Sequence, residues 1–140
     1  MYKNNFFVHF LFLIIHLVSC SKFQITRNRI TGEWKLEKFE ILKIDSKGNL
    51  SLELSESENL GRFIVKKSFE EKNIFEYKSD VFNAPSGVFY LSRNGRKIQF
   101  LPSELVYYVS NIEKKRMILI HHNNNLFDGH IRESRFYFSK

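Results

Sequence analysis

Turn signals recur roughly every 8–12 residues along most of this chain, with short runs rich in Phe, Ile, Leu, Val and Tyr between them, the spacing of an antiparallel sandwich or barrel. Asp45–Asn49, Ser55–Gly61, Glu70–Asn73, Asn83–Gly87, Arg93–Arg96, Pro102-Ser103, Glu113–Arg116 and Asn123–Gly129 punctuate the sequence. The runs they separate predict nine strands: Gly32–Ile44, Leu50–Leu54, one through Phe63, Val65 and Phe69, Ile74–Phe82, Val88–Ser92, Lys97–Leu101, Leu105–Ile112, Met117–His122 and Ile131–Phe138. A single alanine, Ala84, stands in 140 residues. Alanine is the best helix former and Phe, Tyr, Ile and Val suit strands, so composition agrees with the turn spacing. No segment carries a sustained i, i+3, i+4 apolar stripe, and any helix is expected to be short.

Local patterns sharpen the picture. Leu50, Leu52 and Leu54 alternate with Ser51, Glu53 and Ser55, the clearest period-2 stretch. Trp34 and Leu36 share one parity and Phe39 and Ile41 the other, which predicts a bulge near Glu37–Lys38. Asn94-Gly95 predicts a type I′ hairpin, and Gly48 a positive φ in the Asp45–Asn49 turn. Consecutive hairpins leave two open edges, and closing the sheet removes both. The expected fold is therefore all-β, an antiparallel up-and-down barrel of eight to nine strands over residues 31–140.

The N-terminus sets an expectation about address. Lys3 precedes an apolar run from Phe6 to Ser19. Its 14 residues would span about 21 Å as a helix, short of the ~30 Å hydrocarbon core, as in a cleavable signal rather than a permanent span. Leu17-Val18-Ser19-Cys20 follows directly and resembles the bacterial lipobox, in which the cysteine thiol receives a diacylglycerol and the chain is cut just before it. Cys20 is the chain's one cysteine, so no disulfide framework is available to compete for it. The resemblance implies residues 1–19 as a lipoprotein signal, Cys20 as the lipid attachment point, and a cell-envelope location, outer membrane facing the periplasm. Residues 20–30, basic and without period, are expected to be a lipidated tether.

Gly32-Glu33-Trp34, opening the first strand, resembles the Gly-x-Trp signature of lipocalins and bacterial lipocalin-like lipoproteins. In that family the Trp closes the barrel bottom under an Arg near the last strand, a role the resemblance assigns to Arg132 or Arg135. It also implies non-covalent binding of a small hydrophobic or amphipathic ligand. Phe75, Tyr77, Phe89, Tyr107, Phe136 and Phe138 are the candidate lining of such a pocket. A barrel of this size can instead fill itself with Phe and Leu, so an accessory or inhibitor lipoprotein that presents a filled barrel to another envelope protein is the second expectation.

Other chemistries find little footing. No Gly-x-Ser-x-Gly or catalytic cysteine is present, and the carboxylates are scattered beside lysines, so no enzyme is expected. His121, His122, Asp128 and His130 surround one loop. Neighbouring strand residues point to opposite faces, however, and the spacing matches no zinc signature, so no metal or cofactor is expected. The formal charge of +7 gathers at Lys66-Lys67, Arg93/Arg96/Lys97 and Lys114-Lys115-Arg116. Behind a secretion signal that charge implies anionic headgroups or an acidic partner rather than nucleic acid.

Overall fold

The computed structural model describes residues 22–125 and 130–140, with backbone alone at 124 and 125. Residues 1–21, and with them the expected signal and Cys20, lie outside the described residues, as does the 126–129 segment that carries Asp128. Nine strands follow one another in it: β1 (Gly32–Ile44), β2 (Leu50–Glu56), β3 (Arg62–Lys67), β4 (Ile74–Ser79), β5 (Ser86–Leu91), β6 (Lys97–Leu101), β7 (Val106–Ile112), β8 (Arg116–Asn125) and β9 (His130–Ser139). Sheet neighbours run β2-β1-β3-β4-β5-β6-β7-β8-β9, all antiparallel, and β9 returns to pair with β1. Eight strands thereby close into a barrel, and β2 is left outside the ring, its strand ladder formed with β1.

β1 makes this arrangement possible by its length. Its first residues, Gly32–Lys35, pair with β3, its last, Phe39–Ile44, pair with β2, and its other edge follows β9 from Lys35 to Ile44. The register slips between Leu36 and Lys38, where the parity change placed a bulge. Trp34 and Leu36 on one side of it and Phe39 on the other thus all reach the interior. Fully buried Phe63, Phe75 and Phe89 fill the lower barrel, with Phe75 stacked on Phe89 at 5.2 Å between ring centres. Burying each contributes roughly 1.5–3 kcal/mol by area removed from water.

Four details depart from the sequence reading. Residues 22–30, expected as an aperiodic tether, form a helix, α1. It lies across the closed end of the barrel with Ile30 and Thr26 buried and Phe23 packed on the core. Phe69 falls in the turn after β3 rather than in the strand, its ring fully in water. β4 stops at Ser79, and Phe82 belongs to the loop beyond. The Asn94-Gly95 turn is not type I′, which needs positive φ at both residues. Gly95 has φ 67° while Asn94 is not in the left-handed region, and Gly95 N–H bonds the Ser92 carbonyl at 2.8 Å. The Asp45–Asn49 turn follows expectation: Gly48 has φ 83°, and the Asp45 carboxylate accepts from the Lys47 and Asn49 amides, each at 2.8 Å.

Leu50, Leu52 and Leu54 do lie on a strand, but they are 50%, 58% and 38% exposed. Period-2 alternation marks a strand with two chemically different faces; it does not supply a layer to cover the apolar one.

Candidate ligand-binding cavity

The end opposite α1 opens into a cavity of about 520 Å³. Its floor is aromatic. Tyr77 of β4, Phe100 of β6, Tyr107 of β7 and Phe136 of β9 point inward from four strands, with Leu36 and Phe39 of β1 completing the wall. The rings meet largely edge to face: Tyr77 on Phe100 at 4.8 Å and Phe100 on Tyr107 at 5.2 Å, an arrangement that suits their quadrupoles. Glu56, Leu60, Asn83, Ser103 and Leu105 line the upper part, contributed by the end of β2 and the loops after β2, β4 and β6.

One loop side chain reaches into the middle of this space. Buried Ser79 ends β4, and its hydroxyl accepts the Val81 and Phe82 amides at 3.0 and 3.2 Å while its own N–H bonds the Pro85 carbonyl. That local turn aims Phe82 inward, where its ring lies 5.0 Å from Phe100, 5.1 Å from Tyr107 and 5.6 Å from Phe136. Serine is suited to the task because a short hydroxyl can bond backbone groups two and three residues away. Phe82 divides a packed lower barrel from the open space above.

Both phenols in the lining stay neutral over any ordinary pH. Burial, with Tyr77 nearby, pushes the Tyr107 hydroxyl up to about 12, and burial raises Tyr77 as well. Among the described residues the lining contains one carboxylate, Glu56, and no lysine or arginine. The space therefore offers aromatic surface, two neutral phenols and an acidic rim.

The six aromatics named from the sequence separate by height. Tyr77, Tyr107 and Phe136 line the cavity, whereas Phe75, Phe89 and Phe138 lie in the packed interior. Leu36, Phe39, Phe82 and Phe100 are lining residues that the sequence reading passed over. Inward parity could have indicated Phe100, and an aromatic beside Asn83-Ala84-Pro85 was the signal available for Phe82.

At the closed end, Trp34 is covered, but by neither arginine. Lys140 Nζ stands 4.3 Å from the Trp34 ring centre and donates to the carbonyls of Arg29 and Thr31 at 2.9 and 2.7 Å. Trp34 Nε1 donates to the Ile30 carbonyl at 2.8 Å, so the indole and the ammonium together cap the end of α1. Gly32, with φ 123°, provides the sharp entry from α1 into β1, and a Cβ there would stand 3.2 Å from the Lys140 side chain. Arg132 is at the other end of β9, paired with Glu53 at 2.8 Å, and Arg135 is on the outer wall, paired with Glu133. The assignment of either arginine to Trp34 is corrected on that ground. β9 runs away from the closed end as one moves back from Ser139, and Arg135 already pairs with Glu40, well past Trp34.

The histidines have separate environments. His121 donates from Nδ1 to the Val106 carbonyl at 2.8 Å and lies against Tyr107, whereas His122 donates from Nε2 to Glu133 at 2.9 Å and lies against Tyr108. Among the described residues no three His, Cys, Asp or Glu side chains gather as a metal site would require.

No family model matches this chain, and no curated protein does. Among solved structures, lobster apocrustacyanin A1 matches with a TM-score of 0.52 and 18% identity over 87% of this chain and 66% of that one. The chain therefore spans just under two thirds of that neighbour's length. A redesigned β-barrel also matches, with a TM-score of 0.40 and 9% identity over 82% of this chain and 94% of that one. Strand order, closure of β9 on β1 and the crustacyanin likeness agree on one architecture: this chain folds as a lipocalin-like β-barrel.

Proposed function

We propose that this protein is a lipid-anchored envelope lipoprotein, held through Cys20, whose barrel binds a small hydrophobic or amphipathic molecule without covalent chemistry. The observation that carries the reading is the roughly 520 Å³ space above Phe82, walled by aromatic side chains and open to solvent at one end. That volume lies in the usual range for small-molecule sites. Burial of apolar ligand surface against Tyr77, Phe100, Tyr107 and Phe136 supplies the driving force, at about 25 cal/mol per Å² before the cost of ordering the ligand. Because the rim carries Glu56 and the described lining residues include no cation, the polar end of an amphipathic ligand is neutral or cationic rather than carboxylate.

The test is a titration of the chain from Ser21 onward with an environment-sensitive hydrophobic dye. A saturable one-to-one signal is expected, weakened at least about tenfold by Phe136→Glu, which sets an unpaired charge in the lining. A dye signal that never saturates, or one indifferent to that substitution, removes the ligand reading. Metabolic labelling with palmitate, with and without Cys20→Ala, tests the anchor separately.

A further inference from the structure

The two ends of the barrel differ in charge, and the cavity does not use that difference. α1 and the turns β3–β4, β5–β6 and β7–β8 meet at the closed end. Arg27 donates to the Lys72 carbonyl at 2.9 Å, Lys67 to Asn28 at 3.1 Å and Arg29 to the Ile112 carbonyl at 2.9 Å, while Gly95 packs on Thr26. This end exposes Lys22, Lys72, Arg93, Arg96, Lys114 and Lys115. Its turn carboxylates are Glu70, Glu71 and Glu113, and just inside the ladder Lys66 stands opposite Glu76 while Lys67 bonds Asn28. The described loops of the open end are acidic, with Asp45, Glu58, Asp80 and Glu104 against Lys47.

Within the basic end stands Phe69, 104% exposed, and Ile25, 46% exposed, lies on the outer side of α1. A single apolar residue in water is ordinary. A fully exposed aromatic on a turn, at the pole of the molecule where basic side chains outnumber acidic ones, is the composition of an interfacial contact. Apolar tips enter the boundary between headgroups and acyl chains while Lys and Arg face anionic headgroups.

We infer that the closed end is a docking face for an anionic phospholipid bilayer, with Phe69 inserted at the headgroup–acyl boundary and the cavity mouth turned away from the membrane. The acidic open end is repelled by the same surface, so both poles set the orientation. An acidic protein would satisfy the cations, but it would also need an apolar pocket matched to Phe69; a bilayer supplies charge and apolar depth together without shape matching. The chain enters the barrel at this end through Lys22, so an upstream attachment draws the same face towards the lipid. The docking face itself rests on exposure and charge, not on the cavity or on Cys20.

The experiment places Phe69→Trp, and separately Leu105→Trp at the cavity mouth, in the full chain reconstituted into vesicles with brominated acyl chains. In phosphatidylglycerol-containing vesicles the indole introduced at position 69 is expected to lose about half its emission, as for a ring within 5–10 Å of the acyl boundary, while that at 105 is unaffected. The loss is expected to disappear in pure phosphatidylcholine and in molar salt, where the Debye length falls to about 3 Å, and to weaken in the Lys114→Glu/Lys115→Glu variant. No quenching at position 69, equal quenching at both positions, or indifference to salt and to charge reversal overturns the inference. Salt-sensitive quenching from a chain that takes up no palmitate supports the docking face while removing the anchor.

Discussion

Lys140 and Trp34 show how much one residue contact settles at the closed end. The ammonium sits on the indole face and bonds two carbonyls that α1 and the start of β1 would otherwise leave to water. Burial lowers the Lys140 pKa, so the site tolerates the charge at some desolvation cost. Lys140→Ala is expected to lower stability by about 1 kcal/mol, from the cation–π contact and the freed carbonyls, and Lys140→Arg to retain most of it, as read from urea unfolding. On the outer wall, Glu40 is held below its ordinary 4.5 by hydrogen bonds from Lys38 and then Tyr137. Glu133 is raised by burial, but hydrogen bonds from His122 and Arg135 outweigh that and leave it below 4.5 as well. Folded-state values below unfolded ones mean stabilisation that is complete above the ordinary carboxylate value and is lost as pH falls through the folded one. The urea midpoint should therefore drop as pH falls below about 4.5, with a shallower acid slope in Glu40→Gln/Glu133→Gln. An unchanged slope would show that neither carboxylate is linked to folding.

At the scale of elements, α1 and β2 carry opposite lessons. α1 is too short to be helical alone in water, so its helicity comes from docking on the barrel. Phe23, Thr26 and Ile30 recur at three and four residues, a signal too brief to stand out beside basic neighbours. Ile30→Ala should cost about 2–4 kcal/mol, since the side chain is fully buried between helix and barrel. Gly95→Ala should cost at least about 1–2 kcal/mol from the left-handed backbone alone, and its new Cβ would stand 2.8 Å from the Thr26 hydroxyl. Thermal unfolding of both variants measures this. β2 had the cleanest alternation in the chain, yet it adds to β1 along the backbone ladder and leaves its leucines exposed. Leu52→Lys is expected to change stability by less than about 0.5 kcal/mol, and a larger loss would mean that this face is covered in solution.

For the whole molecule, the division between packed core and open cavity rests on Phe82. Phe82→Ala should deepen the cavity, admit bulkier dyes, and cost about 2 kcal/mol. That is below the 3–5 kcal/mol of a fully buried Phe, because this ring is half-buried. Dye affinities across a size series, measured alongside urea unfolding, check both parts. A variant that loses stability while its preference for ligand size stays unchanged would show that Phe82 only packs the core.

Most strand ends, the bulge at Leu36–Lys38 and the closure of the sheet were legible along the chain, whereas the place of β2 outside the ring, with β1 pairing directly to β3, departs from a simple up-and-down order. Each of the legible features is set by neighbours within a few residues: turn formers, parity, and the cost of unpaired edges. What fills the barrel was not legible in that way. Lys140 meets Thr31 across 109 positions to close one end, and Phe82 finds its aromatic partners from a loop with no periodicity of its own. Inward parity says that a side chain enters the interior, but not at what height, and height decides between core and lining. That is fixed by the stagger of eight strands closing on one another, a property no local stretch of sequence contains.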